Sequence, residues 1–275
     1  MVVVLSGVAS IFGSLIGSFL NVVIFRLPAG RSIVAPPSAC GACGARIRPW
    51  DNVPVFSWLL LRGECRDCAA AISVRYPLVE LGTAAFFGSV AWWMLSGAGA
   101  TGSTAATSGL IVTLVAFLYL AAVSVALAMI DIDTHTLPNR IVLPAYVVGA
   151  ALLTAGALLG GTPERLFPAL VGAAALFIVY LLLALAYPGG MGLGDVKLAG
   201  LLGLYLGWLG WGPLAVGAFS AFLLGGLFSL GLVVTRRATR KSGIPFGPWM
   251  LAGAWLGIFG GGTIANWYLS LFGLA

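Results

Sequence analysis

Charge is what this 275-residue chain has least of. Acidic and basic side chains make up 8% of it, against about 25% in an ordinary soluble domain. With 60% hydrophobic residues and a mean hydropathy of +1.07, the chain has too little polar surface to dress a soluble globule. Long polar stretches are almost as scarce: only 26–77 is one, so any extramembrane domain is small. No tandem period of about 20 to 50 residues is visible, which excludes a solenoid, and no Gly-rich strand-to-helix fingerprint announces a nucleotide. The formal charge of +6 and pI of about 9.5 do not point to nucleic acid in so apolar a chain. They report basic loops next to a membrane.

Spans of about 20 apolar residues are what a bilayer requires. They are expected at 2–25, 78–96, 109–130, 141–160, 166–187, 198–211, 213–234 and 248–272. The chain therefore reads as an all-α polytopic membrane protein with about eight transmembrane helices. The segment 198–211 is short and Gly-rich, so it is tilted, shielded by neighbours, or merged with the next apolar run, giving seven. The first run lacks the basic start and small-residue cleavage site of a secretory signal and reads as a retained helix. Small-residue pairs such as Gly13 with Gly17, and Gly203 with Gly207, sit at spacings that let helices approach closely. All fourteen basic residues except Arg165 fall in four loops on one side. Those loops then face the cytoplasm and both termini lie outside. The uncharged linker 97–108 suits the other side, the basic run 236–241 suits lipid headgroups, and Trp92, Trp93, Trp208 and Trp211 read as interface anchors.

All four cysteines fall in the polar stretch, as Cys40-Gly-Ala-Cys43 and Cys65-Arg-Asp-Cys68. Two such knuckles joined by a loop long enough to return supply four thiolates for a tetrahedral Zn. A redox pair or four unligated thiols are the alternatives. A reducing cytoplasm weighs against disulfides, and about fifty residues with few aliphatics need a metal to fold.

Three acids near span ends stand apart from the basic loops: Asp131, Asp133 and Asp195. An ionisable group at the edge of hydrocarbon is costly and is a functional candidate for that reason. Asp131 and Asp133 close one apolar run, and Asp195 stands in Gly192-Leu193-Gly194-Asp195-Val196-Lys197. With no His or Ser constellation nearby, two carboxylates can divide hydrolysis between them, one activating water and one polarising a carbonyl. The plainer alternative is a pair of solvated span-end residues balanced by Lys197 and Arg140.

The tetrad Gly192-Leu193-Gly194-Asp195 resembles the signature of intramembrane aspartyl proteases. The wider set is more specific. Gly17-Ser18-Phe19-Leu20-Asn21, Arg26-Leu27-Pro28, both knuckles, Asp51-Asn52-Val53-Pro54, Arg75-Tyr76-Pro77-Leu78-Val79-Glu80, the run from Gly190 through Lys197, and Pro245-Phe246-Gly247-Pro248 together resemble bacterial type IV prepilin peptidases over nearly the whole chain. The resemblance implies a leader peptidase of the bacterial inner membrane. It would act at the cytoplasmic face on prepilins and pseudopilins and would N-methylate the new N-terminus with S-adenosylmethionine. It implies Asp131, seven positions before Pro138, and Asp195 as catalytic, and not Asp133. It divides the chain into a first transmembrane helix (1–25), a cytoplasmic four-cysteine zinc domain (26–77) and an aspartyl peptidase core (78–275). Two positions depart from the family pattern: Asn139 stands where an Asp is usual, and Gly41-Ala42 lacks the usual knuckle proline.

Gly192 and Gly194 would let substrate backbone approach the Asp195 carboxylate, and Pro245, Phe246 and Gly247 would line the same cleft. Lys197 either steers the pair or marks the cytoplasmic side, and His135 reads as solvent-facing. The competing function is a proton- or cation-coupled transporter using Asp131 and Asp195; it calls for acids at mid-bilayer and matching halves. A non-catalytic zinc-loop adaptor leaves the glycines around Asp195 unexplained.

Overall fold

The computed structural model describes residues 1–97, 104–187, 190–236 and 244–274. Among them every regular element is helical, apart from two isolated β-bridges. Eight long helices fall on the eight expected spans: α1 (Val2–Arg26), α3 (Arg75–Gly97), α4 (Thr104–Thr134), α5 (Asn139–Leu159), α6 (Leu166–Ala186), α7 (Leu193–Leu209), α8 (Trp211–Val234) and α9 (Gly247–Ser270). A short α2 (Phe56–Leu60) lies in the cysteine loop. Six of these helices are long and apolar enough to cross a membrane, and the protein is a multi-pass membrane protein. The 17-residue α7 and the Gly-rich α9 fall below that standard.

The helix ends follow local chemistry. Proline stands in the first turn of α9, where its missing N–H is no loss. Pro138, extended at φ −64°, caps the start of α5. At the end of α4, His135 adopts φ 50° and donates its N–H to the Asp131 carbonyl at 2.8 Å, the left-handed stop of a helix terminus. The helix therefore runs four residues beyond the expected 130 and carries Asp131 and Asp133 inside its last turns.

The chain forms two compact units. The first comprises Met1–Ala100 and Phe117–Ala126. Within it α1 and α3 pack antiparallel: a β-carbon on Gly13 would lie 2.7 Å from Phe87 Cβ, and one on Gly17 would lie 2.7 Å from Glu80 Cα. The first glycine pair thus does what its spacing predicts.

The second unit comprises Thr101–Ala116 and Leu127–Ala275. Its axis is α7, packed by α5, α6, α8 and α9. Every residue from Leu198 to Trp208 is buried. Gly203 and Gly207 press on the carbonyls of Gly172 and Pro168 in α6, so backbone meets backbone. The Tyr205 hydroxyl, deep in this unit, donates to the Ala116 carbonyl at 3.2 Å. The shortness and glycine content of α7 are thereby explained: it is shielded by protein, one of the three expected readings.

Trp208 corrects the expectation of an interface anchor. It is 6% exposed and lies under the Arg165 guanidinium, 4.5 Å from the ring centre. The pairing gives the one basic residue outside the four basic loops a partner. Trp92 and Trp211 are exposed, as anchors are, and Trp93 packs on Phe117. Half of the 97–108 linker, 98–103, and all of the basic run after Arg236 lie outside the described residues, and 104–108 form the first turn of α4.

Candidate active site and metal centre

The two aspartates belong to the second unit, at the end of one helix and the start of another. Asp131 is 4% exposed, and its Oδ2 accepts the N–H of Gly247, the first residue of α9, at 3.0 Å. That amide is aimed by its neighbour. Phe246 is wedged against Phe222 of α8 and Tyr180 of α6, with ring centres 5.6 and 6.4 Å away. Gly225 makes the room, since a β-carbon there would lie 2.8 Å from the Phe246 ring.

Asp195 is half-buried in the first turn of α7, and its Oδ2 accepts the Gly192 N–H at 3.1 Å. This is the carboxylate half of a capping box, which satisfies an amide the helix leaves orphaned. Each aspartate therefore has one oxygen held by a backbone amide.

Leu137, in the turn after α4, joins the two. It lies 3.0 Å from where a β-carbon on Gly194 would stand and 3.3 Å from the corresponding point on Gly247. Leu137 is thus the shared neighbour of Gly194, next to Asp195, and of Gly247, whose amide meets Asp131. A β-carbon on Gly247 would stand 2.7 Å from the Asp131 carboxylate, so at both glycines backbone lies close against this turn.

Lys197 does not reach toward the aspartates. Its Nζ donates to Asn139 Oδ1 at 3.0 Å, and its carbonyl accepts the Tyr146 hydroxyl at 2.6 Å. It fastens α7 to α5. Asp133 and His135 are exposed beyond the last buried turn of α4. Sequence reasoning missed Leu137 and Tyr146, since an aliphatic and a phenol in apolar surroundings carry no signal of their own. The neutral Asn139 opposite a lysine was the detectable sign.

The metal centre lies in the first unit. The two knuckles are superimposable in their bonding. Cys40 N–H reaches Ala45 O at 2.9 Å and Gly44 N–H reaches Cys40 O at 2.9 Å; Cys65 N–H reaches Ala70 O at 2.8 Å and Ala69 N–H reaches Cys65 O at 2.9 Å. Both turns need a left-handed residue at the same place, supplied by Gly44 at φ 72° and Ala69 at φ 55°. A proline in the first knuckle is thus dispensable. The four Sγ atoms lie within 4.8 Å of one another, with Cys40 and Cys68 at 3.8 Å. Thiolates about 2.3 Å from a tetrahedral Zn stand about 3.8 Å apart, so the donor set fits that ion. The backbone N–H groups of Cys43 and then Ala42 hold the Cys40 thiol down to about 6. Arg48 to Asp67 at 3.0 Å and the two-pronged Arg66 to Asp51 contact tie the knuckles together.

A polytopic helical membrane protein with two aspartates at facing helix ends and a pair of two-cysteine knuckles after its first helix is the class these features define. The chain belongs to the type IV leader peptidase family: the model of that family matches residues 118–230, and that of the bacterial peptidase A24 N-terminal domain matches 11–94. It is 37% identical over 290 residues to a prepilin leader peptidase/N-methyltransferase of Aeromonas salmonicida, covering 94% of this chain and 92% of that one. Proteins of the same description from Pseudomonas aeruginosa and Neisseria gonorrhoeae are 36% and 34% identical, covering 96% and 95% of this chain and 93% and 94% of theirs. No solved structure matches the chain.

Proposed function

We propose that this protein removes the leader from prepilins or pseudopilins at the cytoplasmic face of the inner membrane, with Asp131 and Asp195 as the hydrolytic pair, and then N-methylates the exposed amine. The observation that carries the first activity is the arrangement around Leu137: two carboxylates, one buried and one half-buried, each held by a backbone amide and each bordered by a glycine. One carboxylate, ionised, takes a proton from water as the oxygen attacks the scissile carbonyl. The other, protonated, donates to the carbonyl oxygen; as the C–N bond breaks, the first passes its proton to the leaving amine and the second recovers one from the gem-diol hydroxyl. The pair titrates as a unit, so either member can hold the shared proton. Transport draws no support from two acids at helix ends tied to backbone amides.

The four cysteines would hold Zn, whose role is to fold the knuckle domain. S-adenosylmethionine would supply an electrophilic methyl group: the N–C bond forms as the S–C bond breaks, the electron pair stays on sulfur and the surplus proton of the amine leaves to water. The distribution of basic residues supports cytoplasmic loops for the cysteines and both aspartates and outside termini. A membrane-impermeant thiol reagent, in a variant lacking the native thiols, should reach Asn139→Cys from the cytoplasm and Thr162→Cys from outside; the reverse pattern refutes this orientation.

The deciding experiment is cleavage of a purified prepilin followed by mass analysis, without and then with S-adenosylmethionine. Loss of the leader mass, and a further gain of one methyl when the donor is present, is the expected result. An intact prepilin under all conditions would refute the reading.

A further inference from the structure

A cavity of about 600 Å3 opens in the first unit, between the ends of α1 and α3 and the two cysteine knuckles. It has no part in the hydrolytic chemistry, since neither aspartate lines it. Its volume is that of a small-molecule site, about 300 to 1,000 Å3.

Two polar side chains in its wall are more than nine-tenths buried: Glu80, 8% exposed, and Asn21, 9% exposed. Glu80 Oε2 accepts the Val55 N–H at 2.7 Å, and the Ser18 hydroxyl also donates to this carboxylate. Among the described residues no lysine or arginine pairs with it. A buried carboxylate without a cation is costly, and a cationic ligand would relieve it. Asn21 spends its amide N–H on the Tyr76 carbonyl at 3.1 Å, which leaves its own carbonyl as an acceptor. Much of the remaining wall is apolar and includes the rings of Phe25, Trp58 and Tyr76, while Arg26, Arg46 and Arg66 line it together with Asp51 and Asp67. Trp58 is fixed in place: its Nε1 donates to Ile72 O at 3.0 Å, and Gly63 lies against the ring. Aromatic rings beside the buried Glu80 carboxylate, with arginines elsewhere in the wall, suit a ligand that joins a flat heterocycle to a group bearing both a cation and a carboxylate.

We propose that this cavity binds the methyl donor, an adenosyl sulfonium, with its cationic end against Glu80 and its purine among the three rings. The proposal rests on the reading of a second, methyl-transferring activity and gives that activity a place. Cys40 and Cys65 are part of the wall, so metal binding shapes the cavity directly. The new N-terminal ammonium of the substrate is also a cation, and the test separates the two.

The full-length, zinc-loaded protein in nanodiscs is titrated with radiolabelled S-adenosylmethionine and, separately, photolabelled with an azidoadenosyl analogue whose attachment is mapped by mass spectrometry. Label should fall on peptides within 18–80 and be competed by the unmodified donor. Glu80→Gln should weaken donor binding by about tenfold or more while zinc content and unfolding temperature hold. Label confined to the second unit overturns the proposal without needing any variant. So does unaltered donor affinity in Glu80→Gln, including the case where only the KM for processed pilin rises and Glu80 serves the peptide amine. If the wild type methylates pilin yet labels elsewhere, the cavity assignment alone fails. If it neither binds the donor nor methylates, the second activity fails with it.

Discussion

Gly247 and Asp131 are separated by 116 positions, yet the amide of one donates to the carboxylate of the other at 3.0 Å. A β-carbon on that glycine would stand 2.7 Å from the same oxygen, a separation that forces something to move. Gly247→Ala should therefore push the start of α9 off the end of α4. We expect leader cleavage to fall by at least tenfold, with a stability loss of about 1 to 3 kcal/mol, the usual cost of overpacking. Steady-state cleavage rates alongside thermal unfolding check this, and wild-type rates would show that the amide is not needed.

Asp131→Asn and Asp195→Asn should each lower cleavage by about a hundredfold or more, the typical worth of a positioned acid or base. Asp133→Asn, altering an exposed residue two positions on, should keep most of the activity. Mass spectrometry of prepilin after a fixed incubation reads all three. Complete processing by either of the first two variants would remove that residue from the hydrolytic pair.

The knuckles should carry about one Zn per chain. Replacing Cys40 or Cys65 with Ser should empty the site and lower the unfolding temperature of the loop. Elemental analysis of the purified protein is sufficient, and unchanged metal in both variants would contradict the assignment.

The Arg66 guanidinium hydrogen-bonds to Asp51 and holds that carboxyl below its ordinary value of 3.8. A depressed acid stabilises the fold above its unfolded pKa, and that contribution disappears as the pH falls through the lower, folded one. The difference in unfolding temperature between wild type and Asp51→Asn should be constant from pH 7 down to about pH 5 and should shrink below 3.8. A difference that widens on acidification would show that the Arg66 contact is not its source.

Much of this molecule was legible because membrane helices announce themselves by length and hydropathy, and α1, α6 and α8 begin within two residues of their expected positions. The cysteines were legible for another reason: paired spacing is a statement about ligand geometry. The end of α4 was not, because the apolar run stops at Ile130 while the hydrogen bonding continues until His135 turns left-handed. Apolarity marks where lipid ends and says nothing of where the helix does. Trp208 misled for the converse reason. A tryptophan near a span end reads as an anchor, and only the fold reveals Arg165 above it. Leu137 was invisible, since its importance lies in what it touches.

The enclosure of α7 bears on how the protein is made. A helix of 17 residues that opens with Asp195 and Lys197 in its first turns leaves an apolar run shorter than the about 20 residues a bilayer requires, and is a poor candidate for release into lipid alone. Its carbonyl-to-glycine seam with α6 gives it a partner made just before it. We infer that α6 and α7 leave the translocon together as a hairpin. In an insertion assay α7 alone should stay largely uninserted and the pair should integrate; efficient insertion of α7 by itself would refute this order of assembly.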